Sequence, residues 1–366
     1  MIYRTYGKTD KEISILGFGG MRFQNVNNRD ECVRMMLDAA EAGVNYFDTA
    51  PGYMGTRSEQ VFGEAFDELR RRGIPFYCAT KTFKADERSI RGELDQQLKR
   101  LRVDRIDFYH VWCITTLEDW EGRKGSGVLE AFRKLKAEGL IGHICVSSHL
   151  IGDRIRSLLM ENVFEGVTFG FSAYNFNIRQ AAFDAVKKYG LGCVVMNPLG
   201  GGIIPQNPGK FEFIKTRSEE SVVEAALRFI FSHEEINTAL VGFGNRAEVA
   251  EAVKAVEGYR RIGGSEIRRI MTQISGAFAH LCTGCRYCDE CPESIPIPKF
   301  MDAYNHKLLY GGESELLDRL KWHWDIPANL AERCVECGLC EELCTQHLPI
   351  MERMKEITGL VRRKKR

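Results

Sequence analysis

One pattern constrains this chain more than any other. A short apolar run rich in β-prone residues, followed by an amphipathic stretch, recurs eight times in roughly the first 260 residues. The runs fall at Ile15–Gly19, Tyr46–Thr49, Phe76–Thr80, Ile106–His110, His143–Ser147, Val167–Ala173, Gly192–Asn197 and Ala239–Gly242. Between them, stretches such as ECVRMMLDAAEAG, SEQVFGEAFDELRRRG and VLEAFRKLKAEG repeat apolar residues at three and four positions, the helical period, and several end in glycine. Eight strand–helix units predict an α/β chain closed into a (β/α)8 TIM barrel, with an open doubly wound sheet as the rival. Ahead of them, Tyr3–Gly17 places polar turn residues between β-prone ends, which predicts a hairpin closing the barrel floor.

The barrel accounts for about the first 264 of 366 residues. With Lys+Arg 51 against Asp+Glu 50 the chain is nearly neutral, which argues against a broad nucleic-acid surface. No apolar run approaches the ~20 residues of a membrane span. The opening MIYRTYGKTDKEIS lacks the basic-then-apolar layout of a secretory leader, so the expected setting is the cytoplasm.

Thirteen cysteines break the ordinary composition, and eight of them lie between 282 and 344. In a reducing compartment, clustered thiols point to metal rather than to disulfides. The first set is Cys282, Cys285, Cys288 and Cys291, separated by two residues at each step, and Pro292 follows. The second is Cys334, Cys337, Cys340 and Cys344, with the C-x2-C-x2-C-x3-C spacing of a bacterial-type [4Fe–4S] site and Thr345 where proline is usual. Over about 281–350 the module resembles a two-cluster ferredoxin domain. That resemblance implies two [4Fe–4S] clusters with exchanged fourth ligands: Cys282, Cys285 and Cys288 with Cys344, and Cys334, Cys337 and Cys340 with Cys291. The x2 step before Cys291 departs from x3, and two zinc sites, each held by a quartet of cysteines, are the alternative. The expected order is a barrel over 1–264, a connecting helix over 265–280, the ferredoxin-like module over 281–355 and a basic tail over 356–366.

In such barrels the chemistry sits on the loops after the strands. Asp48 follows the second strand, Lys81 the third and His110 closes the fourth; Tyr53 lies on the same loop as Asp48. A free tyrosine titrates near ~10, too high for an effective proton donor at neutral pH. An adjacent lysine ammonium lowers that value, and an aspartate keeps the lysine charged and aimed. A histidine within reach polarises a carbonyl oxygen as negative charge develops. The four together suit reduction of C=O, given a hydride donor across the mouth. Trp112 is a candidate wall of the substrate pocket.

Asp48-Thr-Ala-Pro-Gly-Tyr53, followed by Gly55 and Arg57-Ser58-Glu59, resembles the aldo-keto reductase signature, and Lys81 and His110 match the rest of that family's tetrad. The resemblance implies a barrel that uses NADPH or NADH on a small carbonyl substrate. By family role Tyr53 is the general acid, Lys81 and Asp48 tune it, and His110 orients the carbonyl. It also implies cofactor contacts at Ser147, Ser148, Asn175 and Glu251, and a loop Pro198-Leu199-Gly200 over the pyrophosphate.

After the eighth strand, Gly242-Phe-Gly244-Asn245-Arg246-Ala247 opens a helix. Backbone amides there attract anions, and Arg246 is placed to meet a 2′-phosphate, which favours NADP. The sequence departs from the family elsewhere. Ser147-Ser148 replaces the usual Ser-Asn, Phe171 stands for the glutamine that holds the nicotinamide amide, Met196 for a stacking aromatic, and Glu251-Ala252 for Glu-Asn.

Two functional readings follow. In the first, the barrel reduces an aldehyde or ketone and the clusters relay electrons or act structurally. In the second, the chain is a ferredoxin-linked electron-transfer or redox-sensing subunit with a vestigial barrel. A hydride carries two electrons and a cubane normally passes one, so coupling them needs a mediator, usually a flavin, for which no motif is present. A ferredoxin or other redox protein is the expected partner.

Overall fold

The computed structural model describes residues 1–173, 180–273 and 280–364. They form two compact units, Met1–Leu199 with Phe211–Ile267, and Gly200–Lys210 with Arg268–Arg366. In the first unit, β1 (Tyr3–Thr5) and β2 (Glu12–Ser14) pair as an antiparallel hairpin. Eight strands follow: β3 (Leu16–Gly19), β4 (Tyr46–Asp48), β5 (Tyr77–Thr82), β6 (Ile106–Ile114), β7 (Ile141–Ser148), β8 (Gly166–Gly170), β9 (Gly192–Met196) and β10 (Thr238–Gly242). All are parallel, and β10 pairs with both β9 and β3, so the sheet closes. Closure excludes the open doubly wound sheet. The strands read as continuous apolar runs because helices cover the outside and side chains fill the inside.

The floor of the barrel is one aromatic residue. Tyr6, fully buried, follows β1 and packs with Phe108, their ring centroids 4.5 Å apart. Gly166 and Gly192 stand opposite each other at the starts of β8 and β9. A Cβ would lie 1.8 Å from the Tyr6 hydroxyl oxygen at Gly166, and 2.2 Å from a Tyr6 ring carbon at Gly192. These two glycines are the space the ring occupies.

At the other end, β6 shifts register against β7 between Val111 and Ile114, and Cys113 takes φ 124°. The bulge re-aims the residues beside it, a device common next to active sites. Trp112 packs edge-on to Tyr53 at 5.7 Å and stacks on Phe83 at 4.0 Å.

The second unit is mainly helical. Its core gathers Phe300, Met301, Leu316, Leu320, Leu348, Ile350, Met354 and Ile357 among others, with Cys288 and Cys344 within it and Cys282, Cys291, Cys334 and Cys340 packed against it. The connecting helix runs Gly264–Gln273, and residues 274–279 lie outside the described ones. Of the stretch expected as a basic tail, residues 356–364 belong to the helix Ile350–Lys364, whose last turn suits cations because that end carries the negative pole of the helix dipole. The loop that leaves β9 also belongs here. Tyr310 donates to Asn207 Oδ1 at 2.6 Å, and Lys210 Nζ sits 5.0 Å over the Tyr310 ring.

The two cysteine motifs repeat one backbone design. Gly284 and Arg286 flank Cys285 with φ 63° and 67°; Glu336 and Gly338 flank Cys337 with φ 57° and 83°. Three residues after each fourth cysteine the chain is left-handed again, at Ser294 (φ 54°) and His347 (φ 52°). Six residues after Cys291 and Cys344, Ile297 and Ile350 open the two longest helices among the described residues of the unit. The module is therefore a duplicated motif plus helix.

Candidate active site and candidate cluster ligands

Asp48 ends β4 and pairs in register with Ala79, two residues before Lys81 on β5, so Asp48 and Lys81 face the same side. Lys81 in turn pairs with His110 on β6. Lys81 Nζ donates to both Asp48 carboxylate oxygens, at 2.6 and 2.9 Å, with each side chain almost fully buried. The ammonium also lies 5.4 Å from the centroid of the half-buried Tyr53 ring. Three of the four tetrad residues thus converge through charge. Burial acts to lower the Lys81 pKa, but Asp48 and Tyr53 together raise it, so Lys81 is held as the cation. Burial raises the Asp48 carboxyl while Lys81 draws it back.

Tyr53 differs from the sequence expectation. Burial raises its phenol above the ordinary value; Lys81 pulls it down without reversing the shift. The lysine offsets a desolvation cost that the sequence could not display.

His110 differs more. It is fully buried and neutral: burial first, then the Lys81 charge, lowers its pKa to about 3. Nδ1 faces the Thr80 carbonyl at 3.3 Å and Nε2 faces Thr168 Oγ1 at 3.1 Å. A carbonyl only accepts, so the hydrogen-bond network assigns the proton to Nδ1, and Nε2 accepts from the Thr168 hydroxyl. As placed, His110 offers a substrate carbonyl no donor.

This burial has a measurable consequence. An unfolded histidine takes up a proton near pH ~6.5, which folded His110 refuses until about pH 3. Stability therefore falls as pH drops between those values, by a few kcal/mol in order of magnitude. Urea midpoints at pH 7 and 4.5 should separate more in the wild type than in His110→Gln. Equal separations would remove the argument.

The signature residues beyond Tyr53 act as scaffold. Met54, Gly55 and Thr56 take φ 53°, 62° and 70°, a left-handed run that includes a β-branched residue, and such strain concentrates at functional loops. Arg57 Nε donates to Met54 O at 2.9 Å. Ser58 Oγ donates to Gly20 O at 2.8 Å, and buried Glu59 accepts from Arg100 at 2.6 Å and Thr80 at 3.0 Å. Together these bonds hold the Tyr53 loop against its neighbours.

The residues expected around a nicotinamide dinucleotide are placed unevenly. Ser147 is buried on β7, and the Ser148 hydroxyl bonds Ile114 O and Leu150 N, which leaves it tied to local backbone. Asn175 lies outside the described residues. Pro198 and Leu199 belong to the first unit and Gly200 to the second. Glu251 accepts from Ser221 Oγ at 2.7 Å. Arg246, expected to meet a phosphate, instead makes two bonds to the Asp38 carboxylate, one of them 3.0 Å long. After β10, Gly242 packs against the Arg22 side chain, which a Cβ there would meet at 2.5 Å. Gly244 N–H donates to Glu248 Oε2 at 2.8 Å and Asn245 Nδ2 donates to Oε1 at 3.0 Å. The helix N-terminus thus binds an oxyanion already, its own Glu248. Its donors fit a phosphate that displaces that carboxylate. Arg22, Thr168 and Glu248 were missed in the sequence, where nothing marks them.

The structure brings the cysteines into two groups. Cys282 and Cys288 are electrostatically coupled to Cys285 and Cys344. Cys334, Cys337 and Cys340 line one cavity with Cys291, and Cys288 lines it as well. Cys344 beside the first set and Cys291 beside the second is the grouping that exchanged fourth ligands would need. Gly284 N–H and Leu348 N–H each approach a thiol, Cys282 Sγ and Cys344 Sγ, at 3.4 Å, as amides do toward cluster sulfurs. Asn305, also missed, brackets Cys282 with two backbone bonds of 2.8 Å. Among the described residues no three His, Cys, Asp or Glu side chains converge on a single ion-sized point. The donor set and the repeated curl of both motifs fit two cubanes.

Comparison with known proteins agrees with this architecture. Residues 15–270 match the aldo/keto reductase family profile, and 281–349 match a 4Fe-4S dicluster domain. L-galactose dehydrogenase of Arabidopsis thaliana is 25% identical over 290 residues, covering 71% of this chain and 89% of that protein. NADH-specific methylglyoxal reductase of Escherichia coli is 26% identical over 227 residues, covering 54% of this chain and 67% of that protein. The holo form of aldo-keto reductase AKR11C1 from Bacillus halodurans superposes with a TM-score of 0.65 at 24% identity, covering 74% of this chain and 96% of its own. With a closed eight-stranded barrel, a lysine–aspartate pair beside a tyrosine at its mouth, and a matching profile over the barrel, the chain is an oxidoreductase of the aldo/keto reductase family that carries a C-terminal 4Fe-4S dicluster domain.

Proposed function

We propose that the barrel reduces the C=O of a small aldehyde or ketone in the cytoplasm, with NADPH or NADH as reductant. One observation carries this reading: buried Lys81, clamped by both oxygens of Asp48, stands 5.4 Å from the Tyr53 ring. The names of the two relatives, a sugar dehydrogenase and a methylglyoxal reductase, support it. Among the described residues no helix is long and apolar enough to cross a membrane.

A nicotinamide, when bound, supplies a hydride to the carbonyl carbon. Gly244 N–H and the Asn245 side chain would hold a phosphate of that cofactor, with Glu248 giving way. Tyr53 gives its phenolic proton to the carbonyl oxygen, so hydride plus proton convert C=O to CH–OH. Lys81, kept charged by Asp48, stabilises the phenolate left behind. Trp112, packed on Tyr53 and stacked on Phe83, walls the approach. His110 and Thr168 brace β5, β6 and β8 beneath. In the C-terminal unit the two cysteine sets would hold [4Fe–4S] clusters, whose chemistry is one-electron transfer.

The reading is tested by oxygen-free NADPH oxidation that depends on added aldehyde or ketone and leaves the iron–sulfur absorbance unchanged. Its pH profile is specified. The proton-donating form is the neutral phenol, so the rate constant is flat at low pH and falls as pH rises through a Tyr53 pKa above the usual ~10. Lys81→Met removes the cation that pulls this value down, so the falling limb moves to still higher pH. No limb appears near pH ~6.5, because His110 is neutral there. A wild-type limb at pH ~6–7, or NADPH oxidation indifferent to every carbonyl compound, would overturn the proposal.

A further inference from the structure

The two halves of the cysteine module share a backbone design but not a surface. In the first set Cys282 and Cys285 are half-buried, Cys288 is 7% exposed and Cys344, its exchanged partner, 8%. In the second, Cys337 is exposed and Cys291, Cys334 and Cys340 are half-buried. Around it stand Val335 (61% exposed), Leu339 (45%) and Leu343 (39%). Among the described residues only eight large apolar side chains are exposed, and these three fall within nine consecutive positions. Scattered singly such residues mean little, but gathered around a candidate redox ligand they mark a contact face.

The positions that correspond in the first motif are treated differently. Val335 matches Thr283, which is buried, and Leu339 matches Tyr287, which is half-buried. The duplication was therefore kept for the ligands and broken at the surface.

Charge says what covers the patch. The cavity over the second set is lined by Glu290, Glu293 and Glu336 and by no lysine or arginine. Glu336 pairs with Lys355 at 2.7 Å. Glu290 and Glu293 are exposed and make no ion pair with any described residue. From 281 to 349 the sequence holds twelve aspartates and glutamates against six lysines and arginines. An apolar centre with an acidic rim is complementary to a partner whose own contact face is rimmed by lysine or arginine, and it repels an acidic one.

We propose that the face around Cys337, bounded by Val335, Leu339, Leu343, Glu290 and Glu293, is an electron port that docks a one-electron carrier protein with a basic contact face. The inference rests on the two-cluster reading above. The first cysteine set is the inner site and the second the outer one. In the direction tested, one electron leaves the iron held by Cys291, Cys334, Cys337 and Cys340, which is oxidised by one, and the carrier is reduced by one. No bond forms or breaks and no proton moves.

The test uses the full chain with its clusters in place, reduced without oxygen and mixed in stopped flow with cytochrome c, a lysine-rimmed carrier, or with an acidic plant-type ferredoxin. Cytochrome c should react at least tenfold faster at about 20 mM than at about 300 mM salt, as attraction between exposed charges is screened. In Glu290→Lys/Glu293→Lys that rate should fall at least tenfold at low salt, and the reaction with the acidic ferredoxin should rise. Two reversals on exposed barrel helices, Asp95→Lys/Glu130→Lys, should leave both rates within twofold. Binding gives a second readout: zinc-substituted cytochrome c, which is redox-silent here, should bind the Glu290/Glu293 variant at least fivefold more weakly. Iron and sulfide counts on each sample separate the outcomes. Samples without iron would refute the cluster reading. Loaded samples whose Glu290/Glu293 variant matches the wild type in rate and binding would overturn the port.

Discussion

Tyr53→Phe should lower the rate constant for carbonyl reduction by ~10²–10⁴-fold, the span associated with loss of a positioned general acid. The substitution isolates one atom. The ring meets Trp112 edge-on at 5.7 Å and faces Lys81 at 5.4 Å, and phenylalanine keeps both contacts. Asp48 remains clamped on Lys81 through its own two bonds, so the charge geometry survives. What disappears is the hydroxyl, with its transferable proton and its hydrogen bond to Lys81. Single-turnover rates with saturating NADPH report the loss directly, and cofactor binding should stay within about threefold because no described phosphate donor touches Tyr53. A variant within threefold of the wild-type rate would show that the proton comes from elsewhere. It would return the barrel to the vestigial reading.

The second large effect concerns the eight cysteines, and here the fold makes a statement that spacing alone does not. If the fourth ligands are exchanged, Cys285→Ser and Cys344→Ser damage the same cluster. The double variant should then retain about four of about eight irons, as either single does. Cys337→Ser with Cys344→Ser strikes both clusters and should retain almost none. Unexchanged ligation reverses the two results. Iron counts under argon decide the matter, and electron paramagnetic resonance of the reduced protein gives an independent check. Spin coupling between two clusters should vanish in the first double variant while one cluster signal remains. The C-terminal unit should also lose stability in proportion, because ligand binding there contributes to folding free energy. Its core packs Cys344 with Phe300, Met301 and Leu348, so a serine there left without iron would place a polar group in an apolar interior.

Much of this protein is legible along the chain because its signals are local. Period 2 or continuous apolar runs, period 3.6 between them, and glycines at the ends mark the eight units. The predicted strand starts fall within two residues of those observed. The x2 spacing of the cysteines is likewise local, and so is the loop that joins Asp48 to Tyr53. A closer reading would also have found the duplicated module, since isoleucine follows each fourth cysteine by six positions.

What the sequence could not display depends on which distant groups meet, and on how dry the meeting place is. Thr168 reaches His110 across 58 residues and occupies its Nε2. Asp38 reaches Arg246 across 208 and takes the charge that the motif offered to a phosphate. The direction of the Tyr53 shift depends on burial outweighing a lysine, and burial is a property of the closed barrel. Cys344 stands beside the first cysteine set only because the helical chain between them folds back. Local periodicity determined the elements and the ligand types of this protein. Long-range packing alone decided the partners, the charges and the exposed edge, because contact and desolvation are properties of the folded volume rather than of the chain.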